Sequence, residues 1–191
     1  WTASLLPCAT YIKSLKKRPI DEKAVLLESQ HGGEISGNIF YILKELASNR
    51  EFSSYKLYLS CKTGSKGKIT NILDTYGIKN VCLVTVFSLK YMKIVATAKY
   101  LFNDNTFLPF FTKRDEQIYF NTWHGTPLKT LGKSIKNAMH SIGNTQKNFV
   151  GADYLLYPNE YTMKHMVEDY MLKNLAEGSC VLSGYPRNTV F

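Results

Sequence analysis

The residue best suited to proton transfer is His124, which lies in the segment Asn121-Thr122-Trp123-His124-Gly125-Thr126-Pro127. A neutral imidazole, with an unperturbed pKa of about 6.5, can accept a proton from a hydroxyl group at physiological pH. An apolar, β-prone run precedes the segment. Gly125 then turns the chain before Thr126-Pro127, a pair typical of a helix N-cap and first helical residue. We therefore expect His124 at the carboxyl end of a strand, either as a general base or as a structural histidine bound to a neighbouring carbonyl.

A second candidate loop, residues 28–34, follows another apolar run and contains His31, Gly32 and Gly33. Adjacent glycines at a strand end, just ahead of a helix, allow the backbone to approach a ligand and leave a helix N-terminus open to an anion. The same pair is equally typical of an ordinary turn. We expect His31 to emerge at the same sheet edge as His124 and to position substrate.

The third candidate loop, residues 183–188, follows the last β-prone run. Pro186 restricts the turn, and Arg187 on such a turn could donate paired hydrogen bonds to a phosphate or carboxylate. An exposed arginine at a helix entry is the alternative interpretation.

A row of basic residues is predicted after Pro127, where the spacing of the apolar residues from Leu128 to Met139 indicates a helix with one apolar face. Spacings of four, three and four residues place one set on a single helix face: Lys129, Lys133, Lys136 and His140. Such a row suits an acceptor that carries phosphates, or an anionic membrane. A solvated basic helix face is the alternative.

Seven short β-prone runs must position these loops, and helical patterns separate several of them: 23–28, 55–60, 80–86, 100–103, 117–123, 154–157 and 179–183. Strands that alternate with helices predict a parallel sheet covered on both faces, which is a Rossmann-like α/β domain. In open sheets of this kind, ligands bind beyond the carboxyl ends of the strands. The three candidate loops are therefore expected at one edge.

Residues 1–20 differ in character from residues 21–191, which form the predicted Rossmann-like domain. Several apolar residues in this first segment could share a helix face, ahead of Lys16-Lys17-Arg18-Pro19: Leu5, Leu6, Tyr11, Ile12 and Leu15. The segment is either an amphipathic helix packed on the domain or an interfacial helix that faces anionic lipid headgroups.

Composition limits the possible functions. The chain has 191 residues, 45% of them hydrophobic, and carries 24 Lys and Arg against 15 Asp and Glu, a net charge of +9. This excess predicts an anionic partner. No apolar run approaches the roughly 18–20 residues of a membrane span, which excludes a transmembrane protein. The four cysteines show neither a CxxC pair nor metal-ligand spacing, so we expect reduced thiols in a cytosolic protein and no metal site. The first residue is Trp1, not Met, so we expect a piece of a longer protein.

Two blocks of sequence together resemble the CDP-glycerol glycerophosphotransferase family, whose members prime or polymerise wall teichoic acid and related capsule polymers. These are residues 122–132, Thr-Trp-His-Gly-Thr-Pro-Leu-Lys-Thr-Leu-Gly, and residues 183–188, Ser-Gly-Tyr-Pro-Arg-Asn. Shorter stretches at 27–29 with Gly32, at 37–41 and at 96–100 are similar to the same family. The resemblance extends from about Lys23 to the last residue.

The resemblance implies a GT-B architecture of two Rossmann-like domains that face a cleft, of which this chain is the acceptor-side half. The second domain, which would bind CDP-glycerol or CDP-ribitol as donor, is expected to be absent, so the fragment alone is expected to be inactive. His124 matches the family's catalytic base. Family members are peripheral proteins on the cytoplasmic face of the bacterial membrane, because their acceptor is lipid-linked. The residues expected to bind the acceptor and its phosphates are His31, Gly32, Gly33, Gly125, Thr126, Lys129, Lys133 and Arg187.

Two other classes of function remain open from the sequence. A GT-B glycosyltransferase that uses a nucleotide sugar would share the fold and the basic cleft. A non-enzymatic basic module would bind membrane or nucleic acid, although the basic residues are dispersed and no RRM, KH or helix-turn-helix signature occurs, so no nucleic acid is expected.

Overall fold

A computed structural model describes residues 2–136 and 139–189 of the chain. Within these residues, seven parallel strands form one sheet in the order β3-β2-β1-β4-β5-β6-β7. The strands are β1 Asp21–Glu28, β2 Lys56–Cys61, β3 Val81–Thr85, β4 Ala98–Asn103, β5 Ile118–Asn121, β6 Tyr154–Tyr157 and β7 Cys180–Leu182. The α-helices are α1 Thr2–Lys17, α2 Gly37–Ser48, α3 Lys66–Thr75, α4 Leu89–Thr97, α5 Met139–Val150 and α6 Glu160–Asp169. The α/β class and the parallel sheet predicted from the sequence are confirmed.

The sheet is buried on both faces at its centre. In β1, every residue from Ala24 to Glu28 is buried, as expected for a parallel strand with helices above and below it. One core includes Tyr91 of α4, Phe149 of α5 and Met166 of α6. The core on the opposite face is built from α2 and α3 together with the other sides of the strands. The helices therefore hold the strand ends in a fixed arrangement.

Helix α1 packs on the domain and also carries an exposed apolar edge. Tyr11 is buried, and its hydroxyl donates to the carbonyl of Thr112 at 2.9 Å. Leu5, Leu6 and Ile12 lie on the outside, 64%, 61% and 51% exposed. A helix packed on the domain and a helix that faces lipid headgroups are therefore compatible interpretations of residues 1–20. None of the helices in the described part of the chain is long and apolar enough to cross a membrane.

The prediction that a helix begins at Thr126-Pro127 is wrong. The chain forms a loop there, with one 3-10 turn at Gly132–Ser134, and the next α-helix begins at Met139. Leu128, which the pattern placed on an apolar helix face, is 95% exposed. The predicted basic row is consequently divided between a loop and a separate helix: Lys129, Lys133, Lys136 and His140.

Packing against α6 explains this difference. Gly132 has φ +51°, and a Cβ at that position would collide with the backbone carbonyl of Asp169. Ser134 Oγ donates to the Asp169 carboxylate at 2.9 Å. Thr126, instead of capping a helix, accepts a hydrogen bond from the hydroxyl of Thr162 at 3.4 Å. These tertiary contacts override the local helical pattern.

Candidate active site

The candidate site lies at the carboxyl ends of the three central strands β1, β4 and β5. Glu28 pairs in register with Asn103, and Asn103 with Asn121, so the three strands end at one level. The sheet order reverses between β1 and β4, because β1 continues towards β2 and β3 while β4 continues towards β5. Such a reversal opens a crevice where α/β proteins bind ligands.

His124 follows β5 and is held by two contacts. Its Nδ1 lies 2.8 Å from the backbone oxygen of Asp104. A carbonyl oxygen only accepts hydrogen bonds, so Nδ1 carries the proton and Nε2 of the neutral ring keeps its lone pair. The ring stacks on the buried indole of Trp123, with 4.0 Å between ring centroids. The side chain of His124 is otherwise exposed, which leaves Nε2 available to an incoming group.

A shallow pocket of about 290 Å³ lies beside this ring. Its lining includes Gly125, Thr126 and Lys129, so the structure brings three of the predicted site residues together with His124. Lys133 instead lines a separate pocket of about 590 Å³ along α6. Both lysines are exposed on the loop.

Asp104, which follows β4, connects the loops of β1 and β5. Its carboxylate is buried and accepts hydrogen bonds from Ser29 Oγ at 2.8 Å and from the Gln30 backbone N–H at 2.9 Å. Burial raises the pKa of Asp104, while the bonds from Gln30 and Ser29 and the charges of His124 and His31 oppose that rise. Sequence reasoning missed Asp104. The polar pair Asn103-Asp104 directly after an apolar run was the available signal.

Glu28 is buried in the interior next to Asp104. Burial raises the pKa of Glu28 from its ordinary 4.5 to about 7, against the lowering effect of a hydrogen bond from the Tyr91 hydroxyl. That hydroxyl donates to Glu28 Oε2 at 2.7 Å. The Asp104 charge raises the pKa of Glu28 further. A buried carboxyl group with a pKa of about 7 therefore neighbours Asp104, and the sequence did not indicate this property.

The His31 loop has an unusual backbone. Gln30, His31 and Gly32 have φ values of +47°, +52° and +74°, three left-handed residues in succession. A Cβ at Gly32 would meet the Val86 side chain at 2.7 Å, so close packing inside the protein requires this glycine. The His31 side chain is exposed and Gly33 is half-buried.

The third loop reaches the same site through Asn38 and Arg187. Asn38, buried at the start of α2, donates to the carbonyls of Thr122 and Trp123, each at 3.3 Å. Its side-chain oxygen accepts the backbone N–H of Arg187 at 3.4 Å. The Arg187 guanidinium donates to the His124 carbonyl at 3.2 Å. Asn38 thus ties two candidate loops together, a role that its position in the sequence did not indicate.

No group of three or more His, Cys, Asp or Glu side chains within residues 2–136 and 139–189 is arranged to hold a metal ion. Arg187 and Lys129 are cationic side chains next to His124 that could contact a phosphate, and the exposed His31 imidazole could donate a hydrogen bond to one. The site combines a fixed imidazole, a buried carboxylate and cations at an open edge. That combination suits deprotonation of a hydroxyl group next to an anionic substrate.

Comparison with known proteins agrees with this geometry. Residues 10–191 match the family described as CDP-glycerol:poly(glycerophosphate) glycerophosphotransferase. The chain belongs to this family. The resemblance found in the sequence is thereby confirmed.

Curated relatives are consistent with the assignment. A teichoic acid poly(glycerol phosphate) polymerase of Bacillus spizizenii is 31% identical over 178 residues, which cover 89% of this chain and 42% of that protein. A teichoic acid glycerol-phosphate transferase of Staphylococcus aureus is 30% identical over 187 residues, covering 94% of this chain and 44% of the relative. The chain therefore spans less than half the length of these relatives.

A solved structure supports the fold. A structure of the wall teichoic acid polymerase TagF superposes with a TM-score of 0.83 at 22% identity, covering 98% of this chain and 44% of that one. The likeness confirms the Rossmann-like sheet as part of a GT-B-like architecture.

Proposed function

We propose that this chain is the acceptor-binding part of a transferase that moves glycerol phosphate, or ribitol phosphate, from a CDP-alcohol to a lipid-linked acceptor. The product would belong to teichoic acid or capsule biosynthesis. The family description and the names of the curated relatives support a glycerophosphotransferase. The donor, CDP-glycerol or CDP-ribitol, would bind largely in the region of the relatives that this chain does not cover.

In the proposed reaction, His124 is the general base. Nε2 takes the proton of the acceptor's terminal hydroxyl, and the oxygen forms a bond to the β-phosphorus of the CDP-alcohol. The bond between that phosphorus and the bridging oxygen breaks, and CMP leaves with the electron pair. The observation that carries this role is the Nδ1 contact with the Asp104 carbonyl, because it leaves Nε2 as the basic atom. General base catalysis of this kind is typically worth about 10²- to 10⁴-fold in rate.

The acceptor's phosphates would meet the cations around this ring. Charge neutralisation and positioning account for most of the catalysis in phosphoryl transfer. The side chains and loop backbone that we propose for this contact are His31, Gly33, Gly125, Thr126, Lys129 and Arg187, whereas Lys133 would meet phosphates at the separate pocket along α6. Gly32 acts indirectly, because its tight packing on Val86 fixes the loop that carries His31.

We place the protein at the cytoplasmic face of the bacterial membrane as a peripheral protein, through α1. A pocket of about 600 Å³ between α1 and α4 is lined by four cationic residues: Lys13, Lys17, Arg18 and Lys93. Leu5 and Leu6, which are exposed, lie on the same helix as Lys13 and Lys17. An apolar edge next to a basic surface is the combination that binds anionic lipid headgroups.

The catalytic proposal can be tested in a chimera in which residues 10–191 replace the matching region of the Bacillus spizizenii polymerase. CMP release from CDP-glycerol is measured with a lipid-linked glycerol phosphate acceptor. We expect His124→Gln to lower turnover by about 100-fold or more, with the Kd for CDP-glycerol unchanged. His165→Gln is the matched control, because that ring packs on Tyr161 of α6. Near-normal turnover of the His124→Gln chimera would remove His124 from the base role.

Acceptor binding can be measured on the chain itself. A soluble glycerol phosphate oligomer should shift the NMR signals of His31 and His124, and Arg187→Gln should weaken that binding. If the signals do not move, this edge does not bind the acceptor.

A further inference from the structure

We propose that Asp104 is a positioning residue for His124, with its carbonyl fixing the imidazole and its carboxylate stabilising the imidazolium that forms when Nε2 takes a proton. The proposal rests on the proposed function, in which His124 is the base. It adds a residue that interacts through His124 instead of touching the substrate.

One residue provides both interactions. The backbone oxygen of Asp104 accepts a hydrogen bond from Nδ1–H, with 2.8 Å between the nitrogen and the oxygen, and this selects the tautomer with a basic Nε2. Both carboxylate oxygens are occupied by partners from the β1 loop, Ser29 and Gln30. The backbone N–H of Asp104 also donates to the Glu28 carbonyl at 3.4 Å. Three hydrogen bonds thus fix the position of Asp104, and they thereby also fix the His124 ring that its carbonyl binds.

The charge effect follows from reciprocity. Burial raises the pKa of Asp104, and the positive charges of His124 and His31 are among the effects that lower it. An interaction in which a histidine cation stabilises the carboxylate must stabilise that cation by the same free energy. Low exposure of the carboxylate strengthens the interaction, since water screens it poorly. The abstracted proton remains on His124, and the Asp104 carboxylate acts on it only through its charge.

Several titratable or charged groups surround this pair. Glu28 of β1 and Tyr119 of β5 interact electrostatically with Asp104, and the Arg187 guanidinium donates to the backbone carbonyl of His124. Glu28 has a pKa of about 7, so its titration could overlap with that of Asp104 in the same experiment. Glu28→Gln removes that overlap and keeps an acceptor for the Tyr91 hydroxyl.

The coupling can be measured directly on the chain by NMR. The ¹³Cγ signal of Asp104 is titrated with pH in a Glu28→Gln background, alone and combined with His124→Gln, His31→Gln or His165→Gln. Loss of the His124 cation should move the midpoint of Asp104 upward by about half a pH unit or more. His31→Gln should move it in the same direction. His165→Gln should leave it unchanged, because His165 packs on Tyr161 of α6. An unchanged midpoint in the His124→Gln chain would overturn the proposal.

A second variant separates charge from structure. An asparagine at this position keeps the backbone carbonyl and can still accept the Gln30 N–H, so Asp104→Asn should retain the fold and the Nδ1–H tautomer, read from the ¹⁵N shifts of the ring. In the chimera, Asp104→Asn should lower kcat by about tenfold and move the acid limb of the pH–rate profile to lower pH, with KM for the acceptor retained. An unmoved acid limb would show that Asp104 has only a structural role. The NMR coupling needs no turnover, so its failure is distinguishable from failure of His124 as the base.

Discussion

Glu28→Gln is predicted to remove a large pH dependence from the stability of this domain. Burial raises the pKa of Glu28 from 4.5 to about 7 in the folded chain. The folded state therefore binds this proton more tightly than the unfolded state does. The contribution to stability is fully present below pH 4.5 and is lost as the pH rises through about 7.

The size of the effect follows from that shift. One pKa unit corresponds to about 1.4 kcal/mol, so the rise from 4.5 to about 7 corresponds to about 3 kcal/mol of unfolding free energy. The glutamine side chain of the Glu28→Gln variant would be neutral at every pH and could still accept the Tyr91 hydroxyl. Relative to this variant, the wild-type chain should therefore lose about 3 kcal/mol between pH 4.5 and pH 8.

The assay is urea denaturation followed by circular dichroism across this pH range, for both chains. Comparing the two chains at each pH cancels the groups that they share. Glu22→Gln is the control, because the Glu22 side chain is 67% exposed and paired with Lys99 at 3.2 Å. A wild-type-minus-variant difference that stays flat within about 1 kcal/mol would show that Glu28 ionises normally, and the argument from burial would be wrong.

Two further predictions concern the loop on α6 and the membrane surface. Gly132→Ala should destabilise the chain by about 2 kcal/mol or more, because residue 132 has φ +51° and an alanine Cβ would collide with Asp169. Gly143→Ala on α5 is the control and should stabilise the chain slightly. Thermal unfolding distinguishes the two variants, and a stabilising Gly132→Ala would restore the helical interpretation of that loop. Lys13→Glu combined with Lys17→Glu should weaken co-sedimentation with phosphatidylglycerol vesicles by about tenfold or more, at roughly 1 kcal/mol per basic residue. Lys44→Glu on α2 combined with Lys164→Glu on α6 is the charge-matched control, and equal losses in both double variants would exclude a specific role for the α1 surface.

The strands and the positions of the three loops followed from local pattern. The predicted run 154–157 coincides with β6, and the run at 23–28 lies within β1. Apolar runs of this length between turn residues have few alternatives in an α/β chain. The run predicted at 117–123 is longer than the strand, which ends at Asn121. Two residues later Trp123 has φ +49°, which is outside the range of a strand.

The helix after Pro127 failed for the converse reason. Its residues have helical spacing, but a chain segment with few intrinsic constraints adopts the conformation that its neighbours stabilise. The contacts of Gly132 and Ser134 with Asp169 come from a helix more than 30 residues away in the sequence. Nothing in the local pattern reports a partner at that separation.

By itself, the sequence determined the α/β class, the edge of the sheet where chemistry is possible, and His124 as the residue to examine, because these depend on local periodicity and on residue type. Only the tertiary structure decided the protonation site of that imidazole, the carboxylates that surround it and the buried Asn38 that joins the loops. Those properties depend on distances between groups far apart in the chain and on their shared exclusion from water, and both are set only when the sheet has formed.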